Sequence, residues 1–162
     1  MPAQVIAFRE PETTEGREAL IAALAPLHTL ISIDPRLGAS PVRIYFVLNP
    51  QAKRRIEECV RPADRVGARS APAFALVAYD FPYALHLVES MSSVDRDSAK
   101  QIVTHSSDLQ GDAFAGAALV MGVCAQPVAG FDAEGLKSTF FPSTQESVTH
   151  LFRLSLFGVR RR

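Results

Sequence analysis

Between Ser107 and Met121 the chain runs through a helix-like stretch unusually rich in small residues: Gly111, Ala113, Ala115, Gly116, Ala117 and Ala118. Each glycine there costs about 1 kcal/mol of helix propensity relative to alanine. Close approach of another backbone is the ready compensation, because a residue without a Cβ lets a neighbour come nearer. From Asp108 to about Met121 the helix is apolar nearly all round, which predicts a central position, either at a subunit interface or within the monomer core. Gly122 is the expected C-terminal cap.

The flanking sequence supplies a sheet for that helix to cover. Ala73–Tyr79 (AFALVAY) holds no charge in seven residues, the pattern of a central strand covered on both faces. Val42–Leu48 reads as a second strand from its β-branched and aromatic content. Val148–Phe157 reads as a third, half-buried strand, with Val148, His150, Phe152, Leu154 and Leu156 on one face. Helices are predicted over Thr14–Leu24, ended by Pro26, over Pro50–Val60 and over Phe81–Glu89. Another runs from the Asp132 cap to about Phe141, closed by Pro142. Asn49-Pro50 is a strong start signal, an N-cap side chain followed by proline at the first helical position. Arg61–Pro72 reads as turns and Val123–Gly130 as an irregular extended segment. No repeat or linker divides the 162 residues, so a single α+β domain with one central sheet is expected.

Composition excludes several functions. With 17 basic and 17 acidic side chains the formal charge is zero, so the basic footprint needed for nucleic-acid phosphates is missing. The longest apolar run, Ala113–Ala125, is shorter than the ~20 residues that cross a bilayer. MPAQVIAFRE has no signal-peptide character, and a cytoplasmic protein is expected. Cys59 and Cys124 are far apart with no CxxC, so reduced, packed thiols are expected, with a disulfide as the alternative. The four histidines show no ligand spacing, and His150 is expected to be a hydrogen-bonded core residue. GxSxG, GxxxxGK[ST] and GxGxxG are all absent. No catalytic side chain stands out.

Ser106-Ser107-Asp108-Leu109-Gln110, the small-residue helix, Met121-Gly122-Val123 and Pro127-Val128-Ala129-Gly130-Phe131-Asp132 together resemble the nitroreductase family of flavin enzymes. The likeness spans roughly Ser40 to Gly158. Ser40–Phe46 resembles the family's loop-to-strand entry, Ala71–Asp80 its next strand and Leu151–Gly158 its last core strand. The branch it resembles most is that of the malonic semialdehyde reductase (3-hydroxypropionic acid dehydrogenase-like) proteins. The resemblance implies a nitroreductase-like sandwich, with a central, mainly antiparallel sheet flanked by helices. It also implies an obligate homodimer with FMN at the subunit boundary, and hydride transfer from NAD(P)H to a small aldehyde, nitro compound or quinone. FMN would carry the chemistry while the protein orients and tunes it. Backbone N–H groups of Val128, Ala129 and Gly130, following Pro127, would lie against the flavin.

Departures from the family pattern are concentrated where the cofactor is gripped. The phosphate-binding cations near the N-terminus are reduced to Arg9 and, further on, Arg17. The loop before Ser40 reads Arg36-Leu37-Gly38 in place of Ser-x-Asn, leaving Arg36, Gly38 and Ser40 as its cofactor-binding candidates. The family's Asn-x-x-Lys falls on Asp64-Arg65-Val66-Gly67. A carboxylate at position 64 opposes the negative charge of reduced flavin unless Arg65 or Arg69 compensates. Arg160–Arg162 take the place of the later phosphate-binding residues, with a solvated tail as the alternative. The chain also stops before the family's C-terminal arm. A flavin-free, non-catalytic dimer of the same fold is the competing expectation.

Overall fold

Charge-free Ala73–Tyr79 forms the middle of the sheet, and all seven of its residues are buried. The computed structural model describes residues 5–6, 18, 21–24, 41–91 and 93–156. In chain order the elements are β1 (Val5–Ile6), β2 (Val42–Val47), α1 (Pro50–Glu58), a 3-10 turn (Pro62–Asp64), α2 (Arg65–Ser70), β3 (Ala73–Tyr79), α3 (Phe81–Met91), α4 (Arg96–Val120), β4 (Val123–Pro127), α5 (Ala133–Phe140) and β5 (Ser147–Leu156). The sheet runs β1-β2-β3-β5-β4. Among the described residues the β1–β2 pair is parallel, and β2–β3, β3–β5 and β4–β5 are antiparallel. This is the α+β architecture expected from the order of elements, with the mainly antiparallel sheet that the family resemblance implies.

Strand alternation builds two apolar layers. Ile44, Phe46, Ala75, Val77, Phe152 and Leu154 point to one side, against α3, α4 and Leu24. Tyr45, Val47, Phe74, Leu76 and Leu151 point to the other, against α1, α2 and α5. Burying a side chain of this size contributes ~1.5–3 kcal/mol. Glu18 and residues 21–24 are helical, consistent with the helix expected there; the rest of Thr14–Leu24 and Pro26 lie outside the described residues.

Three expectations need correction. First, α4 is 25 residues long and begins at Arg96, capped by Asp95, whose carboxylate accepts from the Ser98 amide at 2.8 Å. Its buried stripe, Ala99, Val103, Ser106, Ser107, Gln110, Gly111, Phe114 and Ala118, is polar in the middle, which conceals the helical period. Nor is α4 covered all round: within the single chain Leu119 and Val120 are 60% and 83% exposed. Gly111 lies under the imidazole of His150, not under a backbone, and nothing lies within 4 Å of where a Cβ of Gly116 would be.

Second, Arg61–Pro72 is mostly helical. Pro62 opens the 3-10 turn that feeds α2, since its fixed φ suits the first helical position. Third, Val123–Pro127 is a regular edge strand paired with β5. The β3–β5 register shifts between Val77 and Ala78, which pair with His150 and Val148, so the bulge falls at Thr149. Val148 thereby packs in the α1–α2–α5 layer, not on the side of Phe152 and Leu154.

Three further start and stop signals agree with the sequence. Asn49 accepts from the Gln51 amide at 2.8 Å and caps α1. Asp132 accepts from the Gly135 amide at 3.0 Å and caps α5. Gly122, just past α4, takes φ +81°.

Candidate functional site

The segment after β4 is pinned at two points. The Val128 N–H donates to the Leu151 carbonyl at 2.8 Å, and the Asp132 N–H donates to the Cys59 carbonyl at 2.6 Å. Between them Ala129 and Gly130 are exposed, and Gly130 takes φ +70°, a backbone conformation that favours glycine. Neither amide makes a backbone hydrogen bond among the described residues. Of the three donors expected here, Val128 is therefore committed to the sheet, and Ala129 and Gly130 are the two left to face a ligand. Pro127 ends β4 opposite Phe152 and holds the segment's entry.

Across from this turn lies the stretch Arg61–Gly67. Arg61 Nε is 3.4 Å from Asp64 Oδ2, and its side chain lies over Gly130: a Cβ there would fall 2.5 Å from Nε. Asp64 precedes α2 without capping it. Its Oδ2 is buried and has no hydrogen-bond donor among the described residues, so the Arg61 contact is an ion pair with poor hydrogen-bond geometry. The cation that compensates Asp64 is thus Arg61, where the sequence pointed to Arg65 or Arg69. Arg65 is exposed at the start of α2, and Arg69 pairs with Glu57 at 3.3 Å.

A second arginine that sequence reasoning passed over, Arg153 of β5, packs across Gly67 and donates to Gln126 Oε1 at 2.9 Å. A charged residue on a strand facing an apolar layer was its only sequence signal. The candidates Arg9, Arg36, Gly38 and Ser40, and Arg160–Arg162, lie outside the described residues.

Among the described residues no group of three or more His, Cys, Asp or Glu could hold a metal ion. Burial, then Asp132 and Glu58, push the Cys59 thiol up, away from the reactive thiolate. Both cysteines are free. Burial holds the His150 imidazole below its usual value against the opposing pull of Asp108 and Asp112. Its Nδ1 is 2.9 Å from Thr149 Oγ1, the hydrogen bond expected of it, but the ring is half-buried and not in the core. Cys59 and His150 sit on opposite faces of the sheet.

What the turn offers instead is two main-chain donors beside a guanidinium, against a glycine that leaves room. That set suits the electron-rich edge of a flat heteroaromatic ring, and an FMN ring fits its chemistry.

No protein-family model matches the chain. A protein of Ralstonia nicotianae, provisionally named NADH dehydrogenase/NAD(P)H nitroreductase, is 31% identical over 140 residues, covering 79% of this chain and 72% of that protein. The chain belongs to the nitroreductase family. A protein of Polynucleobacter asymbioticus with the same provisional name is 29% identical over 158 residues, covering 92% of this chain and 81% of its own length. The fold agrees with a nitroreductase family protein from Clostridium novyi, at TM-score 0.63, 14% identity, and 96% and 81% coverage of the two chains. It agrees equally with a nitroreductase from Exiguobacterium sibiricum solved in complex with FMN, at TM-score 0.63, 13% identity, and 95% and 84% coverage.

Proposed function

We propose that this nitroreductase-family chain is an FMN-dependent NAD(P)H oxidoreductase that reduces a small aldehyde, nitro compound or quinone. We place it in the malonic semialdehyde reductase-like branch, as a cytoplasmic homodimer. The observation that carries the reading is the turn held by Val128 and Asp132, with the Ala129 and Gly130 amides unspent beside Arg61. FMN, when bound, supplies the two-electron transfer between nicotinamide and substrate. The protein's part is to orient and tune: Ala129 and Gly130 donate to the ring edge, and Pro127 and Val128 fix their direction. Arg65 adds positive charge nearby, while Arg9, Arg36, Gly38 and Ser40 complete the grip.

The homodimer is supported by the open face of α4, where Ala113, Gly116, Leu119 and Val120 are exposed alongside Asp112, since apolar side chains grouped on an exposed face favour association.

Protein purified without added cofactor should be yellow, and reductase activity should follow flavin content. Colourless protein that fails to quench FMN fluorescence on titration would replace this reading with a flavin-free dimer of the same fold.

A further inference from the structure

We infer that Arg61 is itself a cofactor-binding residue: its guanidinium, set by Asp64 and by contact with Gly130, supplies positive charge to the ring edge that docks on the Ala129 and Gly130 amides. The inference deepens the FMN reading and rests on it.

Arg61 is placed by its backbone. It stands in extended conformation (φ −61°, ψ 147°) immediately before the 3-10 turn, so it is free of helical geometry. Its stem then lies flat on Gly130: Cδ, Nε and Cζ all fall within 2.9 Å of where a Cβ would be. Any other residue at 130 would displace it. The ion pair with Asp64 uses Nε, and among the described residues the terminal nitrogens make no hydrogen bond or ion pair. With 58% of the side chain exposed, those donors are available to a ligand.

Asp64 also decides which part of the ligand fits. A carboxylate 3.4 Å from the guanidinium repels a doubly charged phosphate strongly. It is tolerated by a ring edge that carries at most one delocalised negative charge on reduction. Arg61 therefore belongs to the ring, and Asp64 is a positioning residue that restrains both its place and its charge.

The test compares wild type, Arg61→Lys, Arg61→Ala and the control Arg69→Ala. Each is titrated with FMN and with riboflavin, which lacks the phosphate, by fluorescence quenching, with circular dichroism as a folding check. Arg61→Ala should weaken both ligands by the same factor, about tenfold, with Arg61→Lys intermediate and Arg69→Ala unchanged. The reduced cofactor should lose more than the oxidised one, so the midpoint potential of bound FMN should fall, by ~30 mV for each tenfold difference. Weakening of FMN with riboflavin unaffected would assign Arg61 to the phosphate and overturn the inference. Unchanged binding of both ligands in Arg61→Ala would remove Arg61 from the site. Wild type that binds neither flavin would overturn the FMN reading, and this inference with it.

Discussion

Glu146, just before β5, is a carboxylate with only 3% of its side chain exposed, and its removal should be among the costlier single changes in the chain. Its Oε2 accepts from Tyr45 Oη at 2.8 Å, and its Oε1 meets Arg43 Nε at 2.7 Å. Glu146→Ala strands the buried Tyr45 hydroxyl, a loss of roughly 1–3 kcal/mol. The Arg43 pair adds under about 1 kcal/mol, since that side chain is 41% exposed and rehydrates. A small cavity brings the total to about 3 kcal/mol, or a drop in Tm of roughly 6–12 °C for a chain of this size. Glu146→Gln keeps one acceptor and should lose less than half as much.

The same network predicts an alkaline limb. Tyr45 is pushed up from 10.0 to about 12 by burial first, then by the Glu146 hydrogen bond and charge, with Arg43 opposing. The fold thus prefers the neutral phenol. That contribution is intact below pH 10.0 and is lost as pH rises towards about 12, by roughly 3 kcal/mol in all. Urea unfolding at neutral pH and across the alkaline range measures both effects. A loss below about 0.5 kcal/mol in Glu146→Ala, the size of an ordinary surface change, would refute the reasoning.

Further expectations concern α4, β5 and the turn. Gly111→Ala would ordinarily gain about 1 kcal/mol in a helix, but its Cβ would collide with the His150 ring. A loss of roughly 1–3 kcal/mol is expected in urea unfolding, and a gain would show that His150 moves aside. Because burial lowers the His150 value below 6.5, the fold favours the neutral ring. Stability should hold above pH 6.5 and decline below it, and His150→Phe should remove that step. A wild-type stability curve with no such step contradicts the assignment. Gly130→Val, forced to φ +70° and into Arg61, should abolish FMN binding while leaving the circular dichroism spectrum native. Unaltered flavin affinity there would relocate the site.

The sheet was largely legible because β2 and β3 announce themselves by β-branched, aromatic and uncharged residues over a strand's length. The first half of α4 was not, since Ser106, Ser107 and Gln110 occupy buried positions where the period is sought in apolar side chains. Neither was the Thr149 bulge, because a register shift arises between strands and leaves no mark on either one alone. Gly130 and its neighbours could be read through the family resemblance together with a turn-forming glycine. Arg61 could not: its significance lies in contact with a glycine far along the chain, brought near only when the Cys59 carbonyl takes the Asp132 amide.

The pairing order carries a consequence for how the chain is made. β3 finds its second neighbour in β5, with Ala73 opposite Leu154 and Tyr79 opposite Ser147. During synthesis, then, one edge of the most water-averse strand waits unsatisfied while α3, α4 and α5 leave the ribosome. Such late, distant closure slows folding and invites pairing with the wrong chain. A nascent chain halted before Ser147 should therefore aggregate more readily than the finished one, which light scattering of the released chains would measure.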